Sequence, residues 1–222
     1  MGFINGVISL LQNPKAAIAG WIAVSPFMAY GLIFLIVFIE TGVVFFPFLP
    51  GDSLLFAAGF FAASGDLNIF ALLGIAWAAA ILGDQSNFFI GHFFGRKVID
   101  SGKVKAMTPE RIAKSEAFLD KWGKLAIFLG RFFPFIRTFV PFLAGMGGMK
   151  WHHFFAFNVL GGITWSTLFT LLGYFFGGIP VVQDHFELVI VGIVAVSVIP
   201  MIVGLVKAHL SSKKQASGKH AA

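Results

Sequence analysis

The 222-residue sequence contains no cysteine, which excludes disulfides, thiolate metal sites and a thiol nucleophile. Charge is scarce as well: Asp, Glu, Lys and Arg make up 12% of the chain, about half the share expected of a soluble domain. With a mean hydropathy of +0.88, that scarcity makes the chain an integral membrane protein. The opening "MGFINGVISLLQNPK" lacks the basic stretch and cleavage site of a signal peptide, so internal segments are expected to direct insertion. Neither an HExxH motif, nor a paired-His and Arg phosphatase set, nor a nucleophile beside a base occurs. Their lack argues against an enzyme and against a metal site. The length suits one domain.

What is present is apolar sequence in runs of two lengths. Three runs approach the ~20 residues that cross a bilayer: 67–95, interrupted by Asp84, 151–178, and 188–206 with Pro200 as a kink. Residues 1–24 read as interfacial, with Asn13-Pro14-Lys15 closing a short amphipathic stretch. Two regions are too short and too broken to cross. In 27–65, "FMAYGLIFLIVFI" and "SLLFAAGFFAASG" flank a break at "FFPFLPGD". In 125–149, "LAIFLG" and "FLAGMGGM" flank breaks at Pro134 and Pro141. A 13-residue arm reaches roughly 20 Å, the pattern of a re-entrant hairpin; two kinked helices are the plainer alternative. Broken backbone at this depth is tolerated only where protein or a wet cavity surrounds it.

The order of segments repeats. "FPFLPG" (46–51) echoes "VPFLAG" (140–145), and "GHFFG" (91–95) echoes "GYFFG" (173–177). A hairpin crosses zero times and the helix after it once, so the second repeat starts on the opposite face. That parity predicts an inverted repeat, as in transporters with a midplane site. The expected fold is therefore an all-α integral membrane protein: an inverted repeat of re-entrant hairpin plus transmembrane helix, with a C-terminal transmembrane helix and interfacial amphipathic helices. Residues 1–210 form one transmembrane domain and 211–222 a disordered basic tail. The linker 96–124 carries eight basic residues against four acids, whereas 65–68 and 179–187 hold Asp66, Asp184 and Glu187 and no Lys or Arg. The positive-inside rule puts linker and tail in the cytoplasm. Within the linker, "PERIAKSEAFLDKWG" has a helix-start signature and an amphipathic pattern.

Five ionisable residues fall at membrane depth: Glu40, Asp52, Asp84, Arg131 and Arg137. Unpaired, they would cost ~10 kcal/mol or more, comparable with the stability of a whole domain. If the hairpin tips meet, Glu40 and Asp52 face Arg131 and Arg137 and their charges cancel. A static ion-pair lock is one reading; a working site is the other. The planar arginine fork suits phosphate oxygens, which makes Arg131 and Arg137 candidate phosphate ligands. Nearby arginines and burial both act on Glu40 and Asp52, candidate proton carriers coupled to an anionic substrate. Asp84 and Asn87 share a helix face with Gly91, which suits close packing or a secondary polar path. His152 and His153 precede an apolar helix, where an interfacial role is expected. The 29 Phe residues suit lipid or an isoprenoid groove.

Four stretches, "ETGVVFFPFLPGDSLLFAAG" (40–59), "GDQSNFFIGHFFG" (83–95), "GRFFPFIRTFVPFLAGMGGM" (130–149) and "FNVLGGITWSTLFTLLGYFFG" (157–177), resemble the DedA family of bacterial membrane proteins, also called SNARE-associated or VTT-domain proteins. The resemblance implies movement of lipids across the bilayer, undecaprenyl phosphate or phospholipids, in dependence on the proton motive force. Its important acidic and arginine pairs map to Glu40, Asp52, Arg131 and Arg137. The expectation is thus a multi-pass protein of the bacterial inner membrane that translocates a phosphate-bearing lipid. It would use protons and no other cofactor, bind no nucleic acid, and be compatible with a homo-oligomer. The rival class is a non-transporting scaffold for lipid organisation or division machinery.

Overall fold

The computed structural model describes residues 13–43, 51–100, 109–133, 136–177, 179 and 182, and every regular element among them is a helix. The third expected span (188–206), the tail, residues 1–12 and most of "FPFLPG" lie outside the described residues.

Prolines set where the first two helices begin. Helix α1 (Pro14–Val24) starts with Asn13, whose Oδ1 accepts the Ala16 N–H at 2.9 Å, and with Pro14 in the first turn. Asn13-Pro14, read from sequence as a stop, is therefore a helix start. Ser25, in extended conformation, ends α1 and precedes Pro26, the first residue of α2 (Pro26–Gly42). At 17 residues α2 reaches about 26 Å, longer than the expected arm because the helix continues through Glu40-Thr41-Gly42. Helix α3 (Gly51–Ala63) follows.

Helix α4 (Ile69–Asp100) runs through Asp84 without a break. Its apolar part, Ile69–Gly95, and α8 (Trp151–Gly177) have 27 residues each. Each reaches about 40 Å, long and apolar enough to cross a membrane, and both agree with the expected spans 67–95 and 151–178. Between them lie α5 (Pro109–Trp122), α6 (Leu125–Gly130) and α7 (Ile136–Met146). Pro141 was expected to break this region, yet it lies inside α7. A proline there removes only one intrahelical donor, the N–H that would bond the Arg137 carbonyl, and the surrounding residues 137–145 are all buried. Helix α5 forms where the capping signature placed it, and its Leu119 packs against the apolar residues of α7.

The packing is partly exchanged between the two halves, since α2 packs on α4 and α6 on α8 within their own halves. Helix α3 lies on α8, and α7 lies on α4. Both crossings are glycine contacts of one design. A Cβ at Gly59 would come within 2.1 Å of the Thr170 carbonyl, and one at Gly173 within 1.9 Å of the Phe56 carbonyl. At the other crossing, Gly145 meets the Phe88 carbonyl and Gly91 the Phe142 carbonyl, each at 2.0 Å. Only glycine allows backbones this close. In sequence, "FAAG" (56–59) thus plays the part of "FLAG" (142–145). The exits match as well: Gly65 and Gly148 have positive φ, and the N–H groups of Asp66 and Met149 return to Phe61 and Ala144. These are the same glycine-ended helix termini.

Candidate functional site

Three helix ends bring the first charged group together. Glu40 is in the last turn of α2, Asp52 is the second residue of α3, and Arg137 is the second residue of α7. Arg137 donates through Nη2 to Glu40 Oε1 and through Nη1 to Asp52 Oδ1 at 2.8 Å. Asp52 Oδ1 also accepts Trp165 Nε1–H at 3.0 Å, and the Trp165 ring faces the guanidinium at 5.4 Å, a cation–π distance. Glu40 is fully buried, whereas the Asp52 side chain retains 16% exposure. Glu40 also abuts the start of α3: a Cβ at Gly51 would fall 1.7 Å from its Oε2. The partial positive charge of a helix start favours a carboxylate there. Among the described residues, Arg137 Nε finds no hydrogen-bond partner.

Arg131 is not part of that group. Two carboxylates facing two guanidiniums was the expectation; here both carboxylates take Arg137. Arg131 sits in the turn after α6 and Arg137 within α7, so no continuous helix aligns them. Instead Arg131 Nη2 lies 2.6 Å from Asp84 Oδ2, off the line of its N–H bonds. The same Nη2 donates to the Ala80 carbonyl at 3.1 Å and to Asn158 Oδ1 at 2.5 Å. Asn158 Nδ2 in turn donates to the Ile81 carbonyl at 3.0 Å. Gly161 and Gly162 make the room: Cβ atoms there would lie 3.0 Å from Arg131 Cδ and 3.5 Å from its Nη2.

Asn87 joins the two groups. One turn beyond Asp84 on α4, it donates to the Thr41 carbonyl at 3.2 Å and the Thr138 carbonyl at 2.7 Å. Thr41 follows Glu40 and Thr138 follows Arg137, so one amide fixes the backbone beside both partners. Asp84, Asn87 and Gly91 do share the packing face that their spacing predicted, since all three meet neighbouring elements. Sequence reasoning missed Asn158 and Trp165. A lone amide before a Gly-Gly pair, "NVLGG", in an otherwise apolar span was the available signal for Asn158. Nothing local distinguishes Trp165 from a lipid-facing aromatic.

With all five groups ionised, three carboxylates face two guanidiniums. Asp84 and Arg131 balance each other. Glu40, Asp52 and Arg137 leave one unit of negative charge, confined where charge is costly. The arrangement can therefore accept one positive charge, or exchange a carboxylate for an incoming anion on Arg137.

Comparison with known proteins places the chain in a family. The VTT domain family matches residues 49–175, a stretch that includes Asp52, Asp84, Arg131 and Arg137. Protein DedA of Escherichia coli K12 is 43% identical over 209 residues, covering 93% of this chain and 95% of that protein. An uncharacterized membrane protein of Mycobacterium leprae is 35% identical over 202 residues, 90% of each chain. Inner membrane protein YghB of Salmonella typhimurium is 33% identical over 206 residues, 92% of this chain and 93% of that one. No solved structure matches.

Proposed function

We propose, from the premise that this chain belongs to the DedA family of VTT-domain membrane proteins, that it translocates a phosphate-bearing lipid across the bacterial inner membrane in exchange for protons. Undecaprenyl phosphate and a phospholipid are the two substrate classes considered. One observation carries the reading: Arg137, buried among apolar helices, is shared by two carboxylates, and its Nε has no partner among the described residues. A static lock needs one carboxylate per arginine. A second carboxylate makes the site exchangeable.

In this mechanism the phosphate head meets Arg137 and displaces Asp52, the more exposed of its two partners. The freed carboxylate takes a proton, so the site never holds an extra buried charge. Glu40 stays on Arg137 and against the start of α3. Arg131, expected from sequence as a phosphate ligand, is already committed to Asp84 and Asn158, and the phosphate is assigned to Arg137. The acyl or isoprenoid tail stays in the bilayer along outward phenylalanines such as Phe93, Phe94, Phe175 and Phe176. The glycine crossings of α3 on α8 and of α7 on α4 support two equivalent halves, the arrangement an inverted repeat of re-entrant hairpins would give. The basic linker and tail face the cytoplasm by the positive-inside rule. The protein acts as a transporter rather than an enzyme.

Reconstituted proteoliposomes carrying a fluorescent lipid phosphate test this directly. Wild type moves the lipid when a pH gradient is imposed, and Arg137→Gln abolishes movement. A scaffold would instead leave lipid movement at the protein-free rate in wild type, with Arg137→Gln altering only thermal stability.

A further inference from the structure

The two arginines occupy sites that differ in charge balance, access and connection to the chain. Arg131 carries its own counter-charge in Asp84 and is 3% exposed. Its Nη2 is shared among an Asp, an Asn and a backbone carbonyl drawn from the two spanning helices, α4 and α8. Its Nε lies against Gly161, where even a Cβ would be only 3.3 Å away. No phosphate group fits between. Arg137 has one carboxylate too many and a partner that reaches the surface.

The backbone ties one to the other. Gly130 O accepts the Phe133 N–H at 3.1 Å, and Phe133 O accepts the Arg137 N–H at 3.0 Å. Fixing the turn at 131–133 therefore fixes the start of α7, from which Arg137 projects. Asn87, three residues after Asp84, holds the Thr138 carbonyl from the other side.

We infer that Asp84, Arg131 and Asn158 form a closed clamp that fastens the turn before α7 to both spanning helices, so that Arg131 is a positioning residue for Arg137 and touches no substrate. This rests on the transport reading above for its activity arm alone. The clamp needs a matched pair, not a charge. Removing one member leaves a buried charge unpaired, whereas neutralising both removes the two buried charges together and leaves no unpaired ion. A phosphate ligand would behave in the opposite way, since its positive charge is the function.

The experiment compares Asp84→Asn, Arg131→Gln and the double variant in proteoliposomes, with melting temperature in detergent measured on each. Both single variants are expected to melt lower than wild type and to lose transport by about tenfold or more. The double variant is expected to recover both, with the pH profile of the wild type, because Glu40, Asp52 and Arg137 are unchanged. The matching series Glu40→Gln, Arg137→Gln and their double recovers no transport. A D84N/R131Q protein that melts like wild type yet transports no better than Arg131→Gln overturns the inference, because the charge of Arg131 is then needed by the substrate. If wild type moves no lipid, the transport reading fails by itself, and the melting series alone judges the clamp: recovery in the double variant supports it, and no recovery overturns it.

Discussion

Gly51 shows how tightly single positions are specified around Arg137. A methyl group there would collide with Glu40 Oε2 at 1.7 Å. Gly51→Ala is expected to push the carboxylate off Arg137, abolish transport and cost about 1–3 kcal/mol of stability, read by thermal unfolding alongside the flipping assay. Asp52→Asn is the electrostatic counterpart. It leaves Glu40 and Arg137 in one-to-one balance, so lipid movement should no longer respond to an imposed pH gradient, measured over the pH range in which wild type responds. The five charges could be picked out from the sequence because ionisable residues in apolar runs are rare and expensive. Their pairing could not. Glu40 and Arg137 stand 97 positions apart, and Arg131 and Arg137 look equivalent until the turn between α6 and α7 sends them to different neighbours.

At the scale of elements, length and hydropathy located α4 and α8 to within a few residues, because a bilayer demands a known number of apolar residues. Breaks were harder. Pro141 reads as a break but sits within α7, while Asn13-Pro14 reads as a stop and begins α1. The repeat was legible in "GHFFG" and "GYFFG", whose last glycines, Gly95 and Gly177, face Met146 and Phe60 respectively. Its hairpin half is better matched by "FAAG" and "FLAG", since the glycines that touch a partner helix, not the prolines, define equivalence. The crossings make a sharp test of that packing. Gly173→Ala should lower the melting temperature, because the new Cβ would meet the Phe56 carbonyl at 1.9 Å. Gly74→Ala, on α4 with nothing within 4 Å, should raise it slightly, by the up to ~1 kcal/mol that alanine gains over glycine in a helix.

For the whole molecule, exchanged packing changes what can move. Because α3 packs on α8 and α7 on α4, while α2 and α6 pack on α4 and α8 of their own halves, both long helices hold elements of each half; on the transport reading, the pairs to test as moving bodies are α3–α8 and α4–α7. The absence of native cysteine makes this measurable. A Cβ at Gly162 of α8 would lie 2.9 Å from Ile81 Cγ1 of α4, so Ile81→Cys with Gly162→Cys places two thiols across the bodies within bridging reach. Oxidation of that pair should stop transport relative to the same variant kept reduced. Gly95→Cys with Met146→Cys joins α4 to α7 inside one body, with Cβ atoms 2.9 Å apart, and should leave transport running when oxidised. Trp165 adds a way to watch the event. Its indole is bonded to Asp52 and stacked on the Arg137 cation, so its emission is quenched or shifted by whatever loosens that contact. In a variant with Trp165 as the sole tryptophan, occupancy of the buried arginine becomes an optical signal, recorded in real time and without any label.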